Sequence, residues 1–401
     1  LTIPTLPVGG APAPIWRSWR ALAVWNSGSY GLFDPFDTTI GWAPLISALQ
    51  RQGYQLACTL FPAPYDWRLN IDQAVEDYLA PYVRTAKLQS GMSKVSIIAH
   101  SMGGLVARAY IQDIDGRRFE SDQDVDVEKL AIVGTPNAGA VKAYFLWQGG
   151  DVESADTIDL SSGLSTARSI FLHLYENTIA VLYENATGNS IYDRSIAGWV
   201  VNRARVRDFI QNPVSGDPGD PVSGLPSGRQ LLPTFAFLLP QGASAPQSLP
   251  AARANSWLDT LNNTAAWRTT SGGLALRSVN AKLFGGTDID SVVWQIKVKT
   301  ELAIETKTDA VYADGGPNKV QHSTSGDGTV LSSSLRRGIP STPVNAAFTH
   351  AELISAHIYG PSGLVQFMTG TAAVAPAPDR APSSSAASNM TGPTMLNVAV
   401  E

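Results

Sequence analysis

The chain has 401 residues and a formal net charge of −5, with 44% hydrophobic and 16% charged residues. It is too apolar for a disordered chain, too poor in charge for a coiled coil, and lacks the basic footprint of a nucleic-acid binder. The single cysteine, Cys58, excludes an intrachain disulfide or a cysteine redox pair, and no apolar run reaches the ~18 residues of a membrane-spanning helix.

Residue 1 is Leu and no leader pattern follows, so a signal peptide is expected to have been removed or to lie outside this numbering. Residues 21–140 alternate short β-rich runs with longer helical patterns, which predicts a mostly parallel sheet with helices on both faces. Strands are expected over 21–25, 55–60, 94–99 and 129–133. Helices are expected over 42–52, 71–88 and 103–113. The run 94–99 (KVSIIA) is nearly all apolar, as a strand buried on both faces should be. From residue 144 the alternation lapses, and 213–228 is dense in Gly and Pro. It resumes near 281–284, with a last helix over 351–358 or 363–368. Residues 370–393, rich in Ala, Pro and Ser, read as a linker, and 394–401 begins a new apolar alternation. The expected organisation is one α/β core in two parts (1–143 and 281–370), an inserted cap over 144–280, a linker over 371–393, and the start of a further segment at 394–401. A linker after a catalytic domain suits a secreted bacterial protein.

The strongest chemical signal is Ala99-His100-Ser101-Met102-Gly103-Gly104, a serine between a buried strand and a helix opened by two glycines. A serine hydroxyl is a weak nucleophile unless its geometry is forced and a base takes its proton. A tight strand–turn–helix elbow forces that geometry, with small residues two places either side. The Met102 backbone N–H, at the positive end of the helix, faces the place where an oxyanion would develop.

A base and an acid are needed, in the chain order Ser, acid, His. Of five histidines, His100 lies in the elbow, His173 in the cap pattern, and His322 precedes the best acid candidate. His350, on a loop before a helix, is preferred to His357, which falls inside the helical stretch. The acid candidate is Asp327, flanked by Gly326 and Gly328 and followed by a β-like run; Asp288, Asp290 and Asp314 are less constrained. No metal or cofactor is expected.

Pro64-Tyr65-Asp66-Trp67-Arg68, the elbow, Gly134-Thr135-Pro136-Asn137-Ala138-Gly139, Gly326-Asp327-Gly328-Thr329-Val330 and His350-Ala351-Glu352-Leu353 occur in one order. Together they resemble the lecithin:cholesterol acyltransferase group of α/β-hydrolases, which includes lysosomal phospholipase A and bacterial members, over roughly 40–140 and 280–370. The resemblance implies an α/β-hydrolase fold with a large inserted cap, and Ser101 as nucleophile, Asp327 as acid and His350 as base. It also implies a lipid-ester substrate; the apolar cap runs 171–183 and 231–239 read either as ordinary core of the cap or as surfaces that shelter acyl chains or touch a lipid interface. The expected activity is hydrolysis of lipid esters, of phospholipase A or lipase type. A lipid O-acyltransferase, a broad esterase or polyester hydrolase, and a non-catalytic lipid-binding module are the alternatives. The motif at 65–68 also reads simply as a turn closed by an Asp–Arg contact. One departure concerns the second oxyanion donor: Pro7-Val8-Gly9-Gly10 is a weak echo of the family's loop, and 26–31 after the strand 21–25 is the other choice.

Overall fold

The computed structural model describes residues 42–150, 183–184, 188–190, 192–195, 198–211, 225–287, 292–299, 312–371 and 394–399. The expectations for 7–10, 21–31, most of 171–183, and Asp288 and Asp290 lie outside these residues.

Helix α1 (Ala43–Arg51) buries Leu45, Ile46, Ala48 and Leu49 along one stripe, the pattern of a helix lying on a sheet. Strand β1 (Leu60–Pro64) follows, then a long helix, α2, running from Ile71–Ala74 through a π turn at Val75–Leu79 into Ala80–Ser90. The Asn70 side chain accepts from the Gln73 N–H to cap it, and Gly91 ends it at φ +72°. Next come β2 (Val95–His100), α3 (Gly103–Gln112), β3 (Val127–Val133) and α4 (Lys142–Gly149). The remaining strands are a hairpin, β4 (Tyr192–Ser195) with β5 (Gly198–Val201), then β6 (Leu238–Pro240), β7 (Trp267–Thr270), β8 (Gly273–Leu276), β9 (Val279–Gly286), β10 (Val292–Val298), β11 (Pro317–Ser323), β12 (Val344–Ala346) and β13 (Thr394–Ala399). Helices α5 (Arg203–Gln211), α6 (Pro226–Gln230), α7 (Ser256–Asn263), α8 (Ser332–Arg336), α9 (Leu353–Ala356) and α10 (Leu364–Thr369) follow α4; short helical turns lie at Asp122–Asp124, Ala251–Arg253 and His350–Glu352. None of the described helices is long and apolar enough to cross a membrane.

The main sheet has the order β1-β13-β2-β3-β9-β8-β7, with β12 also on β9. All its pairs are parallel except β7–β8 and β8–β9. Both faces are covered, and the strands alternate between two cores. Val95, Ile97 and Ala99 of β2 join Leu130, Ile132 and Leu283 against α2 and α3. Ile98 joins Ala131, Val133 and Phe284 against α1, α9 and α10. The mixed α/β architecture with helices on both sides is therefore as expected.

Some placements differ from the sequence reading. The strand expected over 55–60 lies at Leu60–Pro64, because Ala57 at φ +59° turns the chain and Thr59 and Leu60 donate back to Gln55. Its two prolines are tolerated because, among the described residues, β1 pairs on one side only. Of the residues 394–401, expected to open a further segment, Thr394–Ala399 form β13, in parallel register between β1 and β2. β7 and β8, within the 144–280 span expected as a cap, extend the main sheet. β10 and β11, within 281–370, pair with β6 in a second sheet that packs Phe237, Ile296 and Val298 on Tyr144 and Phe145.

Candidate active site

Strand β2 ends at His100, and the chain turns at once into α3. Ser101 occupies the turn at φ +53°, a conformation that costs a non-glycine residue roughly 1–2 kcal/mol and is held by its surroundings. Its N–H donates to the Val133 carbonyl at 2.9 Å, which ties the elbow to the end of β3. The close approach of α3 requires Gly104: a Cβ there would stand 1.9 Å from Thr135 Oγ1. Met102 is the N-cap of α3, where a helix leaves its first N–H groups without intrahelical acceptors, so its N–H is available to an anion beside Ser101.

Three loops at the C-terminal edge of the sheet bring Ser101, His350 and Asp327 together. Ser101 Oγ lies 2.8 Å from His350 Nε2, and His350 Nδ1 lies 2.7 Å from Asp327 Oδ2. The His350 backbone N–H also donates to the Asp327 carbonyl at 2.8 Å, and the Thr349–Glu352 capping box starts the short helical turn at His350–Glu352. Asp327 is 2% exposed, whereas the His350 side chain keeps 15% of its surface open. The other carboxylate oxygen, Oδ1, accepts the Thr329 and Val330 N–H groups at 3.0 and 2.7 Å. Burial pushes the Asp327 carboxyl up. The charge and hydrogen bond of His350, with the two backbone donors, outweigh burial and hold it below the ordinary carboxylate value. Two glycines make room for this contact: a Cβ at Gly134 would meet His350 Cε1 at 3.1 Å, and one at Gly286 would meet Asp327 Cβ at 2.5 Å.

The other candidates are placed elsewhere. His357 is buried, with Nε2 3.0 Å from the Gly285 carbonyl and its ring edge-on to Phe284, and burial lowers its pKa. His322 is exposed on β11. Asp314 takes the Tyr144 hydroxyl and the Arg253 guanidinium. His173 lies outside the described residues. Asp66 and Arg68 form a two-pronged ion pair, Nε to Oδ1 at 2.8 Å and Nη2 to Oδ2 at 2.6 Å, so the simple turn reading describes that contact. Among the described residues no group of three His, Cys, Asp or Glu could hold a metal ion.

The sequence reading missed the support beneath the 134–139 loop. Arg108 on α3 is fully buried, and its guanidinium donates to Gln112 Oε1, Asn137 Oδ1, Asn262 Oδ1 and the Leu261 carbonyl. Asn137 Nδ2 donates onward to the Leu335 carbonyl, so the helix that follows Ser101 is tied to α8, which follows the Asp327 loop. Burial pushes the Arg108 pKa down to about 9, which still leaves it charged at neutral pH. The signal was present in the sequence: one arginine in LVARAYI, a helix otherwise apolar all round. Arg108→Met, which keeps the volume, is expected to lower unfolding free energy by about 3 kcal/mol in urea titrations, since each orphaned buried acceptor costs about 1–3 kcal/mol. Arg108→Lys, retaining charge but not the fork, should lose less.

Compared with known proteins, residues 35–172 match the family model described as Lecithin:cholesterol acyltransferase. The likeness read from the motifs thus holds for that stretch, which contains the 64–68 motif, the elbow and the 134–139 loop, but not Asp327 or His350. A similar solved chain comes from "The crystal structure of Tle4-Tli4 complex", at 16% identity and a TM-score of 0.32 over 84% of this chain. The alignment spans 66% of that chain's length, just under two thirds.

Proposed function

We propose that this chain, with its lecithin:cholesterol acyltransferase-like stretch, is a serine-dependent hydrolase of lipid carboxylic esters, of phospholipase A or lipase type, on an α/β-hydrolase fold. The observation that carries the reading is the unbroken run of contacts from Ser101 Oγ through the His350 ring to Asp327. The Nδ1–H donates to Asp327, which leaves Nε2 unprotonated and facing the serine hydroxyl. His350 takes the Ser101 proton as Oγ attacks the acyl carbonyl, and the Met102 N–H holds the oxyanion. The carbonyl re-forms, the alcohol leaves with the proton from His350, and an acyl-enzyme remains on Ser101. Water, deprotonated by His350, then attacks that ester and frees the acid.

The lipid character of the substrate rests on the family resemblance. The same acyl-enzyme attacked by an alcohol would give acyl transfer, and the family description favours keeping that second outcome in the test.

Labelling with a fluorophosphonate probe, followed by peptide mass spectrometry, tests the mechanism. The expected result is a single adduct at Ser101, absent from Ser101→Ala; an adduct elsewhere, or none, would overturn the proposal. Incubation with phosphatidylcholine, triacylglycerol and short p-nitrophenyl esters, each with and without an added long-chain alcohol, then separates the substrate classes. Cleavage of the short esters alone would remove the lipid assignment. A fatty ester of the added alcohol exceeding free acid would identify a transferase.

A further inference from the structure

The base of the proposed relay sits on weak local structure. His350 opens a three-residue helical turn, followed by the four-residue α9. Elements this short do not hold themselves in water, yet the imidazole must meet Ser101 and Asp327 at once. The backbone of residue 350 is therefore of interest at both ends. Its N–H is held by the Asp327 carbonyl at 2.8 Å. Its carbonyl lies 2.8 Å from Nε2 of His100, the residue immediately before Ser101. The two histidine rings are 4.6 Å apart, centre to centre, and tilted by 39°.

We propose that His100 is a positioning residue for His350, its Nε2–H donating to the His350 carbonyl so that one dipeptide, His100-Ser101, sets the nucleophile and the backbone of its base together. The inference rests on the proposed hydrolase mechanism for its kinetic consequence, although the contact itself does not. A carbonyl accepts only, so the contact fixes the proton on His100 Nε2. His100 is 8% exposed, at the end of a strand buried along its whole length, so the donor is carried by a buried strand rather than by a loop.

The substitutions that separate positioning from packing are His100→Gln, whose amide N–H lies as many bonds from Cβ as Nε2 does, and His100→Leu and His100→Asn, which remove or shorten the donor. With the full chain and a p-nitrophenyl ester, His100→Leu and His100→Asn are expected to lower kcat about tenfold with KM within about twofold, the size of one lost ordinary hydrogen bond. His100→Gln should recover most of that loss. The low-field proton resonance of the His350–Asp327 contact, identified by its loss in His350→Ala, should move in His100→Asn and return in His100→Gln. Equal kcat losses in Gln and Asn, no loss in either, or an unmoved resonance would overturn the positioning role. Should wild type fail to label at Ser101, the hydrolase reading falls, and the resonance alone then decides for or against the clamp.

Discussion

Ser101→Ala is expected to lower kcat about 10⁶-fold, and adding His350→Ala is expected to cost almost nothing further. In the proposed mechanism the two side chains perform a single act. The 2.8 Å contact lets Oγ attack only as its proton passes to Nε2, so removing either partner removes the same event. What remains after both changes is whatever the Met102 N–H and substrate binding contribute, and KM should stay within a few fold. Single-turnover measurements on the single and double variants check this. Losses that multiplied would show the residues working separately. Ser101→Gly adds a control on the fold. The φ of +53° strains any side chain, so glycine should raise unfolding free energy by about 1 kcal/mol while abolishing turnover. An elbow that gains stability as it loses activity is one in which strain is retained for chemistry.

The sequence carried most of this local chemistry because each part is encoded over a few residues. Ala99 to Gly104 specifies a buried strand end, a forced turn and a close-packed helix start, and the structure has all three. Asp327 was legible as a carboxylate pinned between glycines, and its Oδ1 does serve its own loop through Thr329 and Val330. In the structure His350 is the histidine that meets Ser101 and Asp327, whereas His357 caps the end of α9 and faces the Gly285 carbonyl. Long-range pairing was not legible. Residues 394–399 form their partnerships across the chain with Leu60–Pro64 and Val95–Ala99, and no local pattern announces a tail strand entering the middle of a parallel sheet. β10 was hidden for a similar reason: its parallel neighbour β6 lies far back in the chain, in the stretch where the alternation lapses. Arg108 was overlooked because its acceptors, Asn137 and Asn262, are distant in the chain, although its isolation in an apolar helix marked it as buried. The His100 contact lay deeper still, since an elbow sequence does not reveal which carbonyl its second residue will meet.

Asp327→Asn should lower kcat about 10⁴-fold with the fold and KM nearly intact, through the tautomer of His350 rather than through loss of a contact. The two carboxylate oxygens have different duties. Oδ1 accepts two backbone N–H groups, from Thr329 and Val330, whereas Oδ2 faces His350 Nδ1. An asparagine amide must keep its oxygen on the two N–H donors, because its nitrogen there would set donors against donors. The amide nitrogen is then turned towards Nδ1. Nδ1 becomes an acceptor, the ring proton moves to Nε2, and Nε2 presents a proton to Ser101 Oγ when it should remove one. Asp327→Ala is the informative contrast: it removes the carboxylate but imposes no tautomer, so it should be no slower than Asn despite being the larger deletion. Kinetics on the pair, together with ¹⁵N chemical shifts of the His350 ring, check this. A protonated Nε2 in the Asn variant with near-native kcat would mean that His350 is not the base.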